Sequence, residues 1–360
     1  MALIFLDGFD HYDPSTDILS KWSSKSNNSS NVGVTYTSSS SPAATGNSLK
    51  LVTYANHDYW ADLKKNLSTN YTALVVGVAI YFSPNDTTAS SSMYTGSACI
   101  ISFSNGSTAK FTVWLDGAGN AYFRTGNWTA TISLTQSGVF SNNGFHYVEV
   151  KVKDTGTPTA TDVVLYVDGT AVANLPASSN PTCAGTTGAG FNVVQLAVVN
   201  GIAYYDDLYI LDTSGTVNND ALGPRKIQTI YPNADGDTDT FTASGVSANW
   251  DAINDPTPDG DSTYSYGTNS DSILSQMTNM TGSIGSISGI QVCGSIRKDQ
   301  TSSMTVNQKI KTNSTEYNGA DIGLSTSYAY YFDIWDQNPN TSTDWSQTDI
   351  DNIQAGLVVQ

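Results

Sequence analysis

Charge is what this 360-residue chain has least of: Asp, Glu, Lys and Arg together make up 13%, about half the usual share. Glutamate is scarcer still, with Glu149 and Glu316 the only two among 32 acidic residues. Asp favours turns and caps where Glu favours helix interiors, so this bias argues for loops between strands. Lys and Arg number 15, which leaves a net charge of −17. A chain so acidic lacks the basic footprint that phosphate binding needs, and nucleic acid is not an expected partner.

Cysteine is sparse too. Cys99, Cys183 and Cys293 are widely spaced with no CxxC, which excludes a disulfide framework and a zinc site and predicts small buried or half-buried thiols. No apolar run approaches the ~18 residues of a membrane span. The opening MALIFLDGFD has a five-residue apolar run and no basic flank, so no secretory signal is expected. The triplets at Asn66, Asn70 and Asn127 then read as by-products of composition.

What the chain does hold is Ser, Thr, Asn and Gly, with 20 Tyr and 7 Trp. Polar uncharged residues interleaved with aromatics suit short strands and many turns, and predict an all-β protein. Apolar runs at 2–6, 32–36, 49–54, 71–82, 98–103, 111–115, 121–124, 162–167, 191–199 and 203–211 read as strands. In HYVEVKVKD, Val148, Val150 and Val152 alternate with Glu149, Lys151 and Lys153, which predicts one dry and one wet face. Turn signals every eight to twelve residues point to a β-sandwich.

The stretch from Tyr204 to Pro232 organises the rest. Its apolar start closes one β-domain, its Gly/Asn/Asp/Ser middle is a loop, and Lys226–Tyr231 reads as a new strand stopped by Pro232. Domains over 1–222 and 223–360 follow. The second holds fewer strands, at 287–298, 304–312 and 327–334, and a helix over about 346–355. Ser346 is its N-cap, Trp345 and Ile350 form a staple, and Gly356 stops it before a last strand at 357–359.

Catalytic patterns are weak. A glycosidase needs two facing carboxyl groups, but Glu149 and Glu316 fall in different domains, and Asp206 and Asp207 are adjacent and should face opposite ways. His11, His57 and His146 have no G-x-S-x-G partner. No enzyme is expected. Asp235, Asp237 and Asp239, and the pair Asp259 and Asp261, offer hard oxygen ligands at alternating loop positions. A structural calcium held by Asp235, Asp237 and Asp239 is the one cofactor expectation. Most aromatics read as core. Trp128 in TGNWTAT is the candidate sugar-stacking residue, with Trp60 and Tyr94 as further markers of a groove.

Three stretches carry a resemblance: ALIFLDGFDHYD…KW over 2–22, AYYDDLYILDTSG…NNDALGPRKIQTIYPNADGD over 203–237, and DWSQTDIDNIQAGLVV over 344–359. Together they resemble a group of tailed-phage virion structural proteins with an N-terminal concanavalin A-like (LamG-type) jelly roll. The resemblance implies a jelly-roll β-sandwich followed by a second, smaller β-sandwich domain with a short C-terminal helix. It also implies a virion location, in tail, fibre or head decoration, and partners among other phage structural proteins and copies of itself. The alternative expectation is a lectin-like module that attaches the particle to a host surface glycan.

Overall fold

A computed structural model of the chain describes residues 2–13, 17–27, 32–37, 46–53, 60–84, 97–126, 132–141, 144–154, 163–174, 189–282 and 284–360. The protein is all-β, with two short helices, and its contacts divide it into two compact units. Ala2–Phe9 and Asp13–Ile227 form one; Asp10–Tyr12 and Gln228–Gln360 form the other. Seam residues Leu222–Ile227 therefore stay with the first unit.

The first unit runs β1 (Leu3–Asp7), α1 (Ile18–Lys21), β2 (Ser24–Asn27), β3 (Val32–Thr37), β4 (Ser48–Thr53), β5 (Trp60–Tyr71), β6 (Ala73–Pro84), β7 (Ala98–Asn105) and β8 (Thr108–Asp116). It continues with β9 (Ala121–Thr125), β10 (Ile132–Gln136), β11 (His146–Lys153), β12 (Val163–Val167), β13 (Thr170–Asn174), β14 (Phe191–Val199) and β15 (Gly201–Asp212). An eight-stranded sheet has the order β13-β12-β11-β6-β15-β4-β3, with β1 also on β15; a seven-stranded sheet has the order β10-β9-β8-β7-β14-β5-β2. Every pairing is antiparallel, and chain neighbours are often in different sheets, as in a jelly roll.

The core lies between the sheets. Val76, Val78, Val148, Val150, Leu165, Leu51 and Tyr205 of the eight-stranded sheet face Ile101, Phe103, Val113, Phe123, Leu196 and Val198 of the other, and all are buried. The Tyr205 hydroxyl donates to the Ala197 carbonyl at 2.8 Å, bridging the layers. At one rim a buried Lys110–Asp154 ion pair, 2.5 Å apart, fixes the bulged start of β8. At another, Asp7 accepts from Trp22 Nε1 at 2.8 Å and from the Phe9 N–H at 3.0 Å. Trp22 stacks on Phe9, whose φ is 55°. The ALIFLDGFD…KW stretch is thus a folding knot.

One expectation fails in an informative way. Glu149 is not on a wet face: it is fully buried. Residues 222–227 cross the outer face of the eight-stranded sheet, and Glu149 Oε1 accepts from the Tyr209 hydroxyl and from the Gly223 N–H at 2.9 Å. A bulge in β15 after Asp206 turns Tyr209 outward onto Gly77, where any Cβ would strike its ring. Asp207, at φ 52°, holds the seam by accepting the Ile227 N–H at 2.7 Å. Lys226–Tyr231 is accordingly no strand: the Ile227 and Tyr231 N–H groups donate to the Asp207 carboxylate and the Thr278 hydroxyl and not to a ladder.

The second unit runs β16 (Pro232–Asp239), β17 (Thr242–Ser244), β18 (Tyr264–Tyr266), β19 (Ser272–Met277), β20 (Ile290–Ile296), β21 (Thr305–Thr312), β22 (Thr315–Asn318), β23 (Ile322–Gly323), β24 (Ala329–Trp335), α2 (Gln347–Asp351) and β25 (Gln354–Val359). A six-stranded sheet, β16-β19-β25-β21-β22 with β23 on β21, packs against the β20-β24 ribbon through Ile310, Trp345, Ile350, Ile290, Val292 and Trp335. Ser346 and Asp349 form a full capping box. The helix ends at Asp351, short of the expected stop. Gly356 lies inside β25, where an added Cβ would run into the Ile273 carbonyl. This glycine answers to strand packing, not to helix termination.

Candidate functional site

Strand register places a polar set on the face of the seven-stranded sheet that turns away from the core. One row across β5, β14, β7, β8 and β9 reads Asp62, Ala197, Ile100, Trp114, Tyr122; the next reads Lys64, Gln195, Ser102, Thr112, Arg124. A third begins Trp60, Val199, Ala98, Asp116. The strands alternate as period-2 segments should, yet apolar residues occupy only part of this face. Ala98, Ile100, Trp114, Tyr122, Ala197 and Val199 form a cluster with half-buried Trp60 against it.

The polar members are organised. Gln195 donates to Asp62, and Lys64 Nζ lies 3.4 Å from the same carboxylate. Tyr122 donates to Asp116 at 2.9 Å, while Asp116 also accepts the Ala118 and Asn120 N–H groups at 2.9 Å, an Asx-type turn closing the β8–β9 hairpin. Burial, and then the Asp116 carboxylate, raise the Tyr122 hydroxyl above its ordinary range. The Arg124 guanidinium lies 4.5 Å from the Trp114 ring centre, and burial lowers its pKa. Among the described residues, the Trp114 indole N–H and the Thr112 hydroxyl are buried without a hydrogen-bond partner. Each such orphan costs about 1–3 kcal/mol, so this face holds donor capacity that the described fold leaves unused.

Trp128 and Tyr94 lie outside the described residues, as do His57 and Cys183. Asp235, Asp237 and Asp239 are not in a loop. They occupy alternate exposed positions of edge strand β16. A bulge after Asp235 folds Asp237 over the sheet, where it pairs with Lys311 and its N–H donates to Gln354 at 2.9 Å. Lys311 and Gln354 hold the Asp237 carboxyl below its usual pKa. Asp239 accepts from Asn249 at 2.7 Å. A lysine already occupies the place a cation would take, so the donor set does not fit calcium. Asp261 is likewise bound by Arg297 at 2.9 Å and Tyr328 at 2.8 Å. No group of three His, Cys, Asp or Glu converges among the described residues.

Glu149 is committed to the seam, and Glu316 to Lys309 at 2.9 Å. The structure does bring together one set that spacing hid. Ser141 Oγ lies 3.0 Å from His146 Nε2, and His146 Nδ1 lies 2.7 Å from Asp168 Oδ2. The polar sheet face was equally hidden, since its members come from five strands; of them, only Trp60 gave any signal.

No known protein family and no curated protein matches the chain. Solved structures resemble it. A Bacillus subtilis protein of unknown function with a galectin-like fold is 9% identical at a TM-score of 0.38, over 59% of this chain and 96% of that one. The exoplasmic/lumenal domain of VIP36, bound to Ca2+ and Man3GlcNAc, is 9% identical at 0.34, over 57% and 89%. An endo-1,3-beta-glucanase from Streptomyces sioyaensis is 13% identical at 0.33, over 58% and 95%. Nothing in these comparisons bears on the virion resemblance.

Proposed function

We propose that the first unit is a carbohydrate-binding jelly roll whose ligand, a neutral glycan, engages the polar face of the seven-stranded sheet. One observation carries this reading: two buried donors without partners, Trp114 Nε1–H and Thr112 Oγ–H, share a face with Gln195, Tyr122 and half-buried Trp60. Hydroxyl-rich ligands supply acceptors for such donors and apolar C–H faces for the aromatic rings. The face acts by binding and not by catalysis, because Asp62 and Asp116 are each tied to neighbours. Trp114 is only 1% exposed, so ligand entry requires this closed face to open, and association should be slow.

Titration calorimetry with neutral oligosaccharides tests the reading. Thr112→Val keeps the shape and deletes one donor, Trp114→Phe deletes the indole donor together with part of the ring, and both should weaken binding at least ~5-fold, about 1 kcal/mol. Equal affinity in both variants would refute it.

A second reading rests on the resemblance of residues 2–22, 203–237 and 344–359. In it the chain is a structural subunit of a tailed-phage virion, packed against copies of itself or other phage structural proteins, and the glycan face meets the host surface. Reconstruction of the purified particle tests it: ordered copies on capsid or tail support this placement, and absence from the particle removes it.

A further inference from the structure

Going beyond sugar binding, we propose that Ser141, His146 and Asp168 form a hydrolytic relay acting on small acyl esters. Asp168 opens the β12–β13 turn with φ 51°, followed by Gly169 at 77°, a tight hairpin that aims its side chain back along β11. Asp168 Oδ1 accepts the Tyr147 N–H at 2.9 Å, and Asp168 Oδ2 stands 2.7 Å from His146 Nδ1. With a carboxylate there, Nδ1 carries the proton and Nε2 is left as the acceptor. Ser141 Oγ sits 3.0 Å from that nitrogen. Phe140 meets the His146 ring edge-on at 6.2 Å, a further restraint on the imidazole.

This is nucleophile, base and orienter in linear order, recognised by geometry and not by sequence spacing. Ser141 is exposed, and its own N–H donates to no described group, which leaves it free to stabilise an oxyanion. The reaction balances with bulk water as co-substrate. Ser141 Oγ bonds to the ester carbonyl carbon as its proton passes to His146 Nε2. The carbon–alkoxy bond then breaks, and His146 returns the proton to the departing alcohol. Water repeats the cycle: it loses a proton to His146, attacks the acyl carbon and releases the acid, and Ser141 regains its proton. Asp168 touches no reacting atom and is a positioning residue. Ser141 is exposed, so a short ester such as an acetate reaches it without a dedicated acyl pocket.

The test is labelling of the full chain with diisopropyl fluorophosphate, read by intact mass and peptide mapping, beside p-nitrophenyl acetate hydrolysis. We expect one adduct, on Ser141, abolished by Ser141→Ala and slowed ~100-fold or more by His146→Ala. Asp168→Asn should slow labelling, since His146 loses the carboxylate that fixes its ring, and Asp168→Glu should restore part of the rate. Ser141 is exposed, so Ser141→Ala should melt as the parent does. Adducts scattered over several hydroxyls, or an unchanged rate in His146→Ala, would overturn the proposal. Neither result bears on glycan affinity, which is measured separately at the other sheet's face.

Discussion

The two outer faces of the jelly roll are both buried, but they are buried differently. On the eight-stranded sheet the cover is the chain itself: residues 222–227 donate into Glu149 and Asp207, and Tyr209 lies flat over Gly77. Two buried atoms stay without a partner there among the described residues, the acceptor Glu149 Oε2 and the donor Arg225 Nε on the covering segment. On the seven-stranded sheet the orphans are donors, Trp114 Nε1–H and Thr112 Oγ–H, amid tyrosine, glutamine and arginine. Both faces are buried within the same chain, and they differ in what is left over: a carboxylate oxygen and a guanidinium nitrogen at the seam, a neutral indole and a hydroxyl on the other sheet.

Glu149→Ala should do the most damage. It strands the Tyr209 hydroxyl and the Gly223 N–H in a closed space, and urea denaturation should show a loss of ~2–5 kcal/mol. A loss under ~1 kcal/mol would mean the seam does not seal that face. Gly77→Ala comes next, at ~1–3 kcal/mol, because the new methyl meets the Tyr209 ring. Thr112→Val should move the other way and stabilise the chain by ~1 kcal/mol, since it removes an unpaired buried hydroxyl and keeps the volume. Destabilisation by Thr112→Val would erase the contrast.

The smallest effect concerns the second unit. Asp237 is lowered mainly by Lys311, Glu316 by Lys309, Asp261 by Arg297 and Asp271 by the Thr268 N–H. A carboxyl lowered in the folded state stabilises above its unfolded pKa, near 4, and that gain is lost as pH falls through the folded value. Melting curves should therefore show a modest drop between about pH 5 and pH 2, reduced in Lys309→Met and Lys311→Met. Surface pairs of this kind are individually weak.

Much of the fold was legible because strand alternation is local. The apolar runs at 98–103, 191–199 and 203–211 fall in β7, β14 and β15, and the run at 71–82 covers most of β6 after the last residue of β5. β5 was missed because Asp62, Lys64 and Asn66 line one polar face while Lys65 interrupts the apolar one, and β16 because Asp and Gly imitate a loop where a bulge supplies the irregularity. Glu149 read as wet because burial by a segment 74 residues away leaves no local mark. The polar face and the Ser141–His146–Asp168 relay depend on cross-strand register, which no single stretch encodes.

The most direct test of the central claim is titration of neutral oligosaccharides into the parent chain, Thr112→Val and Trp114→Phe, with melting curves on the same samples. The account predicts that Thr112→Val is more stable than the parent yet binds at least ~5-fold more weakly, with Trp114→Phe weakened as well. Undiminished binding in both variants, or no binding by the parent across the neutral sugars, would contradict it.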